Sequence, residues 1–136
     1  MELTGGCYCG KIRYTAKGDP ILRAQCYCRA CQHIAGGGPQ YFFLIPQEGF
    51  AYTSDAPKTF IRPDLSNPVT REFCPDCGTH MITRRPDMPH VIVLKIGTLD
   101  DPTAYKGAKM AIFCEDRQPF HHIPKGLPTF ATLPNQ

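Results

Sequence analysis

Apolar residues along this chain recur in short alternating stretches, a pattern typical of β-strands. Ile12 and Tyr14 are apolar, whereas Lys11, Arg13 and Thr15 around them are polar, as expected for a strand with one buried face. Stretches of this kind predict strands at Lys11–Ala16, Ile21–Gln25, Gln40–Ile45, Phe50–Thr53, Lys58–Arg62, Val69–Phe73, His80–Thr83, Val91–Ile96 and Lys109–Phe113. The pattern therefore indicates a mainly β fold.

Proline and glycine set the length of these elements. Fourteen prolines and twelve glycines are spread along the 136 residues, too frequently for long helices. One short helix is predicted over Arg29–Ala35, ended by Gly36-Gly37-Gly38. The continuous apolar run Val91-Ile92-Val93-Leu94 predicts a central strand. A chain of this length suits one domain, so we expect a single domain over residues 1–136.

Composition and charge exclude several classes of partner. Hydrophobic residues make up 42% and charged residues 20% of the chain, as in soluble globular proteins. No apolar run approaches the ~18 residues of a membrane span. Residues 1–6 lack a basic segment followed by an apolar one, so we expect no secretory signal and a cytoplasmic location. The nearest basic cluster, Arg84-Arg85, precedes Pro86-Asp87, so no nucleic-acid partner is expected; no pattern indicates an oligomeric state.

Eight cysteines change this picture. In a reducing compartment, clustered cysteines more often bind metal than form disulfides. The pairs Cys7/Cys9 and Cys26/Cys28 are two positions apart, and the pairs Cys28/Cys31 and Cys74/Cys77 are three positions apart. Disulfides between such close neighbours would be strained, whereas both thiolates can turn toward one ion. The spacing therefore favours metal binding.

The most specific motif is Cys74-Pro75-Asp76-Cys77-Gly78, which resembles a zinc knuckle. Gly78 supplies the permissive backbone that such a tight turn needs. A knuckle contributes two ligands and a closed tetrahedral site needs four. Cys7-Tyr8-Cys9 is the natural partner, so we predict a structural site of four thiolates.

A second cluster contains Cys26, Cys28 and Cys31, hereafter the triplet. Three sulfurs can bind one ion and leave its fourth position open, which distinguishes catalytic from structural zinc. Two alternatives remain open at this point. Cys114 can close the site and make it structural, or the triplet can lack metal, with Cys26 and Cys31 as a redox pair.

With these motifs in view, the chain resembles the glutathione-dependent formaldehyde-activating enzymes, which are grouped with centromere-protein-V-like proteins. The resemblance runs nearly end to end and includes seven cysteines in the same order. It is carried by Gly6-Cys7-Tyr8-Cys9-Gly10 with the strand Lys11–Tyr14, by Cys26-Tyr27-Cys28-Arg29-Ala30-Cys31, by Arg71-Glu72-Phe73-Cys74-Pro75-Asp76-Cys77-Gly78-Thr79-His80 and by Gly97-Thr98-Leu99-Asp100-Asp101-Pro102.

The resemblance implies a β-tent fold of short antiparallel strands that binds two zinc ions. It assigns Cys7, Cys9, Cys74 and Cys77 to the structural ion, and Cys26, Cys28 and Cys31 to the catalytic ion. Cys114 matches no family ligand, and we expect it to be a small buried residue on the last strand. The implied activity is that of a carbon–sulfur lyase resembling S-(hydroxymethyl)glutathione synthase, with glutathione as the thiol and formaldehyde as the aldehyde.

Two departures from the family pattern concern the surroundings of the site. The chain contains no tryptophan, and Phe120 is expected to fill the apolar position that a tryptophan commonly takes near the C-terminus. The segment Gly36-Gly37-Gly38-Pro39-Gln40 is unusually rich in glycine and is a candidate lining of the substrate pocket.

The remaining candidates are polar residues near these motifs. Cations that can bind the glutathione carboxylates are Arg29, Arg62, Arg71, Arg84 and Arg85, although a solvated surface role is the simpler expectation for each. His33 is a candidate acid or base, or else a polar helix residue. We expect His80 to form a hydrogen bond within the structural site and His121-His122 to lie on the surface. Tyr8 and Tyr27 are expected to pack around the metals. Two other functions stay open: a non-catalytic zinc-stabilised binding module, and a redox sensor that releases zinc on oxidation.

Overall fold

The structure, a computed structural model, describes residues 1–134; the last two residues of the predicted domain lie outside the described part. Within that part the chain forms ten strands and one α-helix, joined by turns and short 3₁₀ segments. The strands are β1 (Glu2–Gly6), β2 (Arg13–Lys17), β3 (Leu22–Cys26), β4 (Gln40–Pro46), β5 (Phe50–Ser54), β6 (Lys58–Phe60), β7 (Thr70–Phe73), β8 (His80–Arg84), β9 (Val91–Lys95) and β10 (Met110–Ile112), and the helix is α1 (Arg29–Ile34). The mainly β prediction is confirmed.

Strand β1 is the element that the sequence pattern misses. Its residues end in Gly5 and Gly6, which carry no side chain for the alternation to display. Gly5 is required because a Cβ there would lie 2.3 Å from the carbonyl oxygen of Thr98 and 2.4 Å from the Tyr14 hydroxyl. The strand exists because it pairs antiparallel with β2 over its whole length.

The strands form two sheets. A three-stranded sheet has the order β1-β2-β5, and a seven-stranded sheet has the order β10-β3-β4-β9-β8-β7-β6. Strand β9 is the fourth of seven, so the central position predicted for its apolar run is confirmed. Strands β3 and β10 pair in parallel, unlike the other pairs and unlike the antiparallel arrangement expected for the whole fold.

The two faces of β9 have different surroundings. Ile92 and Leu94 are fully buried in the main core, together with Tyr14 of β2 and with Ile12, which directly precedes that strand. Val93 lies on the opposite face, against a second apolar cluster. Because side chains alternate along a strand, the same five residues support the core on one side and the candidate site on the other.

In residues 1–134, no helix has both the length and the apolar character needed to cross a membrane.

Candidate metal centres

Four cysteines converge where the two sheets meet. The sulfurs of Cys7, Cys9, Cys74 and Cys77 all lie within 4.8 Å of one another. The Cys7–Cys9 sulfur distance is 3.6 Å and the Cys9–Cys74 distance is 3.8 Å. A tetrahedral zinc ion with Zn–S bonds of ~2.3 Å requires sulfurs about 3.8 Å apart. The group, hereafter the four-cysteine group, therefore fits a tetrahedral metal ion.

The turn between β7 and β8 aims two of these sulfurs inward. The amide of Cys74 donates to the Thr79 carbonyl at 2.9 Å, and the amide of Gly78 donates to the Cys74 carbonyl at 2.9 Å. The Cys77 amide points at the Cys74 sulfur, 3.5 Å away. Gly78 has φ +78° and open space around its Cα, so glycine is needed there for its backbone conformation alone.

The turn between β1 and β2 supplies the other two sulfurs in a similar way. The Ile12 amide donates to the Cys7 sulfur at 3.2 Å. The Tyr8 amide donates to the hydroxyl of Thr79 at 3.1 Å, which links the two turns. The Tyr8 side chain is 94% exposed, so the prediction that it packs around a metal is wrong. Both ligand side chains turn inward, and the residue between them consequently points to solvent.

Thr79, rather than His80, makes the hydrogen bonds next to the four-cysteine group. The Thr79 hydroxyl lies 3.3 Å from the Cys77 sulfur, and this hydrogen bond lowers the pKa of Cys77 to about 5. His80 stacks on Phe73 with ring centroids 5.5 Å apart. Its buried Nδ1 has no hydrogen-bond partner among residues 1–134, and burial lowers its pKa. The hydrogen bond predicted for His80 is therefore wrong.

The triplet forms at the junction of β3 and α1. Cys26 ends β3, Cys28 is the N-cap of α1, and Cys31 lies within the helix. The three sulfurs lie within 4.8 Å of one another, and the Cys28 sulfur accepts from the Cys31 amide at 3.3 Å. Hydrogen bonds from Cys26 and then Cys31 lower the pKa of Cys28 to about 2, whereas the same contact with Cys28 raises the pKa of Cys26. The group thus favours a thiolate at Cys28.

Gln32 fixes the position of α1. Its buried amide nitrogen donates to the carbonyl of Tyr27 at 2.7 Å and to the carbonyl of Asp116 at 2.9 Å. Its amide oxygen accepts from Arg29 at 2.5 Å and from Gln118 at 3.2 Å. These contacts join the triplet loop to the segment that follows β10. The sequence analysis did not identify Gln32 as a candidate residue.

Cys114 stands apart from the triplet. The metal-competent groups found in residues 1–134 do not include it, so the structure gives no support to a site closed by Cys114. It is partly exposed and begins a 3₁₀ turn one residue after Phe113. Phe113 has φ +52°, which ends the strand and turns the chain. The prediction of a buried position on the last strand is therefore wrong.

A cavity of about 270 Å³ opens beside the triplet. Its apolar wall includes Phe42, Val93 and Ile112. Its full lining comprises Cys26, Cys28, Cys31, Gln40, Phe42, Asn67, Val69, Arg71, Thr83, Arg85, Pro86, Asp87, Val93, Lys95, Ile112 and Phe113. The volume lies just below the ~300–1,000 Å³ of typical small-molecule sites, so a compact ligand can reach all three sulfurs.

Three cations line the cavity wall, of which one forms an ion pair in the described part of the chain and two do not. Arg85 is paired with Asp87 at 2.8 Å. Lys95 is only 4% exposed, and neither it nor Arg71 makes an ion pair or a side-chain hydrogen bond within residues 1–134. Burial lowers the pKa of Lys95 to about 8; attraction to the Cys31 thiolate opposes this shift, and repulsion from Arg71 adds to it.

The other predicted cations lie outside this cavity. Arg62 is paired with Asp64 at 2.6 Å on the surface. Arg84 is paired with the buried Glu72 at 2.5 Å. Arg29 contacts Gln32 as described, and the His33 side chain is exposed. In the described part of the chain, Arg71 and Arg85 are the predicted cations that line the cavity.

The C-terminal aromatic residues differ from their predictions. Phe120 is 66% exposed and contacts His121 with ring centroids 4.7 Å apart, so it does not fill a buried apolar slot. His121 is partly buried, and its Nε2 lies 2.6 Å from the Gly37 carbonyl. The glycine-rich segment therefore contacts this histidine, and of that segment only Gln40 lines the cavity. Tyr27 is buried, but its hydroxyl contacts Gln25 and the His122 carbonyl and its ring contacts His121, so its predicted packing around a metal stays a prediction.

Comparison with known proteins identifies one family. A family model described as "Glutathione-dependent formaldehyde-activating enzyme" matches residues 2–116. In three dimensions the chain is similar to a Rhodobacter sphaeroides protein whose crystal structure was solved as a structural-genomics target. The TM-score is 0.62 at 14% sequence identity, covering 78% of this chain and 97% of that chain. At this identity the similarity shows a shared fold.

Proposed function

Because this chain belongs to the family of glutathione-dependent formaldehyde-activating enzymes, we propose that it is a zinc-dependent carbon–sulfur lyase acting on a thiol–aldehyde adduct. Glutathione and formaldehyde are the proposed thiol and aldehyde. The observation that supports this activity best is the position of the triplet. Three sulfurs within 4.8 Å of one another line a cavity that a small molecule can enter.

The proposed reaction joins a thiol and an aldehyde. The thiol sulfur attacks the carbonyl carbon, a carbon–sulfur bond forms, the carbon–oxygen π bond opens, and the thiol proton ends on the oxygen. The lyase direction reverses each change. Zinc bound by Cys26, Cys28 and Cys31 would supply a thiolate-stabilising centre whose −1 net charge favours thiol capture over strong carbonyl activation.

The protein's own groups bind and shield the reactants. Phe42, Val93 and Ile112 form an apolar wall beside the sulfurs, which limits access of water to the adduct. The Thr83 hydroxyl, on the same wall, is buried and has no partner in the described residues. It can donate to the adduct oxygen or accept its proton.

For the four-cysteine group we propose a structural zinc ion. Its sulfur spacing fits tetrahedral coordination, and its four ligands leave no open position. The protein would then carry two zinc ions per chain. Thiolate ligands persist in a reducing compartment, so we propose a cytoplasmic location.

The test is a rate measurement with two serine variants. Formation and breakdown of S-(hydroxymethyl)glutathione would be followed by NMR exchange spectroscopy, with the zinc content measured in parallel. The wild-type protein should accelerate the exchange beyond the spontaneous rate. Cys28→Ser should lose one zinc per chain and the acceleration while keeping its fold. Cys114→Ser, a cysteine outside both groups, should keep both.

Two results would contradict the proposal. One is a fully zinc-loaded protein that leaves the exchange rate unchanged for glutathione and several other thiols, which would favour a zinc-stabilised binding module. The other is a Cys28→Ser variant that unfolds, which would favour a structural role for the triplet.

A further inference from the structure

The cavity beside the triplet contains two cations that form no ion pair with a carboxylate in residues 1–134. Arg85 is neutralised by Asp87. Lys95 and Arg71 have no acidic partner in residues 1–134, although Lys95 is 4% exposed. Burial disfavours the ammonium form of Lys95, and the negative charge of the Cys31 thiolate offsets only part of this effect. An anion that pairs with Lys95 in the bound state would offset more of it.

The sheet register explains why these groups lie together. Lys95 of β9 pairs with Phe42 of β4, and Val93, two residues earlier, pairs with Thr83 of β8. Thr83 in turn pairs with Arg71 of β7. Residues directly opposite each other, and residues two apart on one strand, share a face of the sheet. The two cations and the hydroxyl therefore belong to one continuous face, which the cavity covers.

The same face reaches the triplet through Gln40. Gln40 of β4 pairs with Cys26 of β3 and lies two residues before Phe42. Its amide oxygen is buried without a partner in the described chain, as is the Thr83 hydroxyl. The Thr83 O–H can donate to a ligand carboxylate, whereas the Gln40 oxygen only accepts and suits an S–H or O–H group of the ligand.

The charge of the cavity selects the ligand class. Lys95 and Arg71 contribute two positive charges, and the Arg85–Asp87 pair contributes none. Both cations lack a carboxylate partner in residues 1–134, so one carboxylate of a ligand can pair with both of them. The small volume matches a compact ligand.

Resting on the proposed function for the thiol end of the site, we infer that the cavity binds one carboxylate of its thiol ligand between Lys95 and Arg71, and that a compact thiol with a single carboxylate fits inside it. The apolar part of the ligand lies against Phe42 and Val93. Glutathione, with two carboxylates and a polar peptide body, then extends partly outside the cavity.

The experiment compares two ligands of equal size and different charge. Calorimetry on the zinc-loaded protein would measure the affinities of 3-mercaptopropionate and of its uncharged primary amide, with no aldehyde present. Wild type should bind the carboxylate at least tenfold more tightly, because truncation of a buried charge pair commonly weakens binding by more than that. In Lys95→Met the two affinities should become equal within about twofold, with two zinc ions retained.

Matched variants separate this role from a structural one. Lys17→Met, an exposed lysine on β2, should behave as wild type, and Lys95→Arg should restore part of the charge preference. Arg71→Gln should reduce the preference by a smaller factor, and it provides a second test if Lys95→Met does not fold. The inference is wrong if neither variant changes the preference. It is also wrong if Lys95→Met loses zinc from the triplet and binds both ligands equally weakly, since Lys95 would then serve the metal centre. Neither result depends on the aldehyde exchange rate, so this inference and the proposed activity can fail separately.

Discussion

The two cysteine groups should differ in how much they stabilise the fold. The variants Cys77→Ser and Cys28→Ser test this, because each removes one sulfur from one group and both cysteines are partly buried. A metal ion in the four-cysteine group closes a loop in which Cys9 and Cys74 are 65 positions apart. An ion in the triplet closes only the short segment from Cys26 to Cys31.

The magnitude follows from chain entropy. Cross-linking a loop of that length stabilises a fold by about 4 kcal/mol, whereas a six-residue loop gives about 2 kcal/mol on the same relation. Gln32 already holds α1 through two backbone carbonyls, which reduces the second figure further. When each variant loses the ion of its group, the expected loss on Cys77→Ser therefore exceeds that on Cys28→Ser by at least about 2 kcal/mol.

The assay is thermal and denaturant unfolding of zinc-loaded proteins with measured metal content. For a chain of this size, 1 kcal/mol corresponds to about 3–5 °C in Tm, so the two variants should differ by about 6–10 °C. Cys114→Ser controls for the change of cysteine to serine and should unfold as wild type. Equal Tm losses for the two variants, with one zinc lost from each, would refute the loop-closure argument.

Three further predictions concern other parts of the structure. Gly49→Ala places a Cβ 1.8 Å from the backbone carbonyl oxygen of Lys17 in β2. This variant should lower the unfolding free energy, measured by chemical denaturation, by more than about 2 kcal/mol. The control Gly38→Ala, which has nothing within 4 Å of the added Cβ, should be nearly neutral. Gln32→Leu removes the donor from the buried Tyr27 carbonyl and the partly buried Asp116 carbonyl. It should lower zinc retention in the triplet about tenfold or more, measured by chelator competition; unchanged retention would exclude a positioning role. Arg13 lowers the pKa of Asp100, so Asp100→Asn should reduce stability at neutral pH, and the difference from wild type should vanish as the pH falls through the lowered pKa of the folded state.

The sequence predicts the strands well because their signals are local. Alternation within a strand and the proline and glycine between strands depend on neighbouring residues, and strands were correctly predicted in all nine stretches. The cysteine spacing is also a local signal, and it distinguishes the two turns that form the four-cysteine group from the segment that forms the triplet. Strand β1 was missed because Gly5 has no side chain and is selected by a distant contact, the Thr98 carbonyl.

Side-chain directions in the turns could not be predicted in the same way. Tyr8 lies between two inward-facing sulfurs and is therefore exposed, although its aromatic ring suggested burial. Thr79 makes the hydrogen bonds expected of His80 because its short side chain reaches both turns. Phe120 follows Pro119 in a turn and is 66% exposed, with its ring against His121. Each outcome depends on which backbone atoms the turns bring close.

Lys95 shows most clearly why the cavity could not be predicted from the sequence. It stands in a predicted strand, Val91–Ile96, where one polar residue after four apolar ones looks like a strand end. Its place in the cavity follows from pairing with Phe42, 53 positions earlier. A one-residue slip of β9 against β4 would move Leu94 into the cavity and Lys95 into the main core, and both exchanges are strongly unfavourable. The register that keeps Ile92 and Leu94 in the core is thus the register that keeps the ammonium group beside the sulfurs. Any rearrangement that shifted the pairing of β9 with β4 would therefore both remove Lys95 from the cavity and disrupt the core.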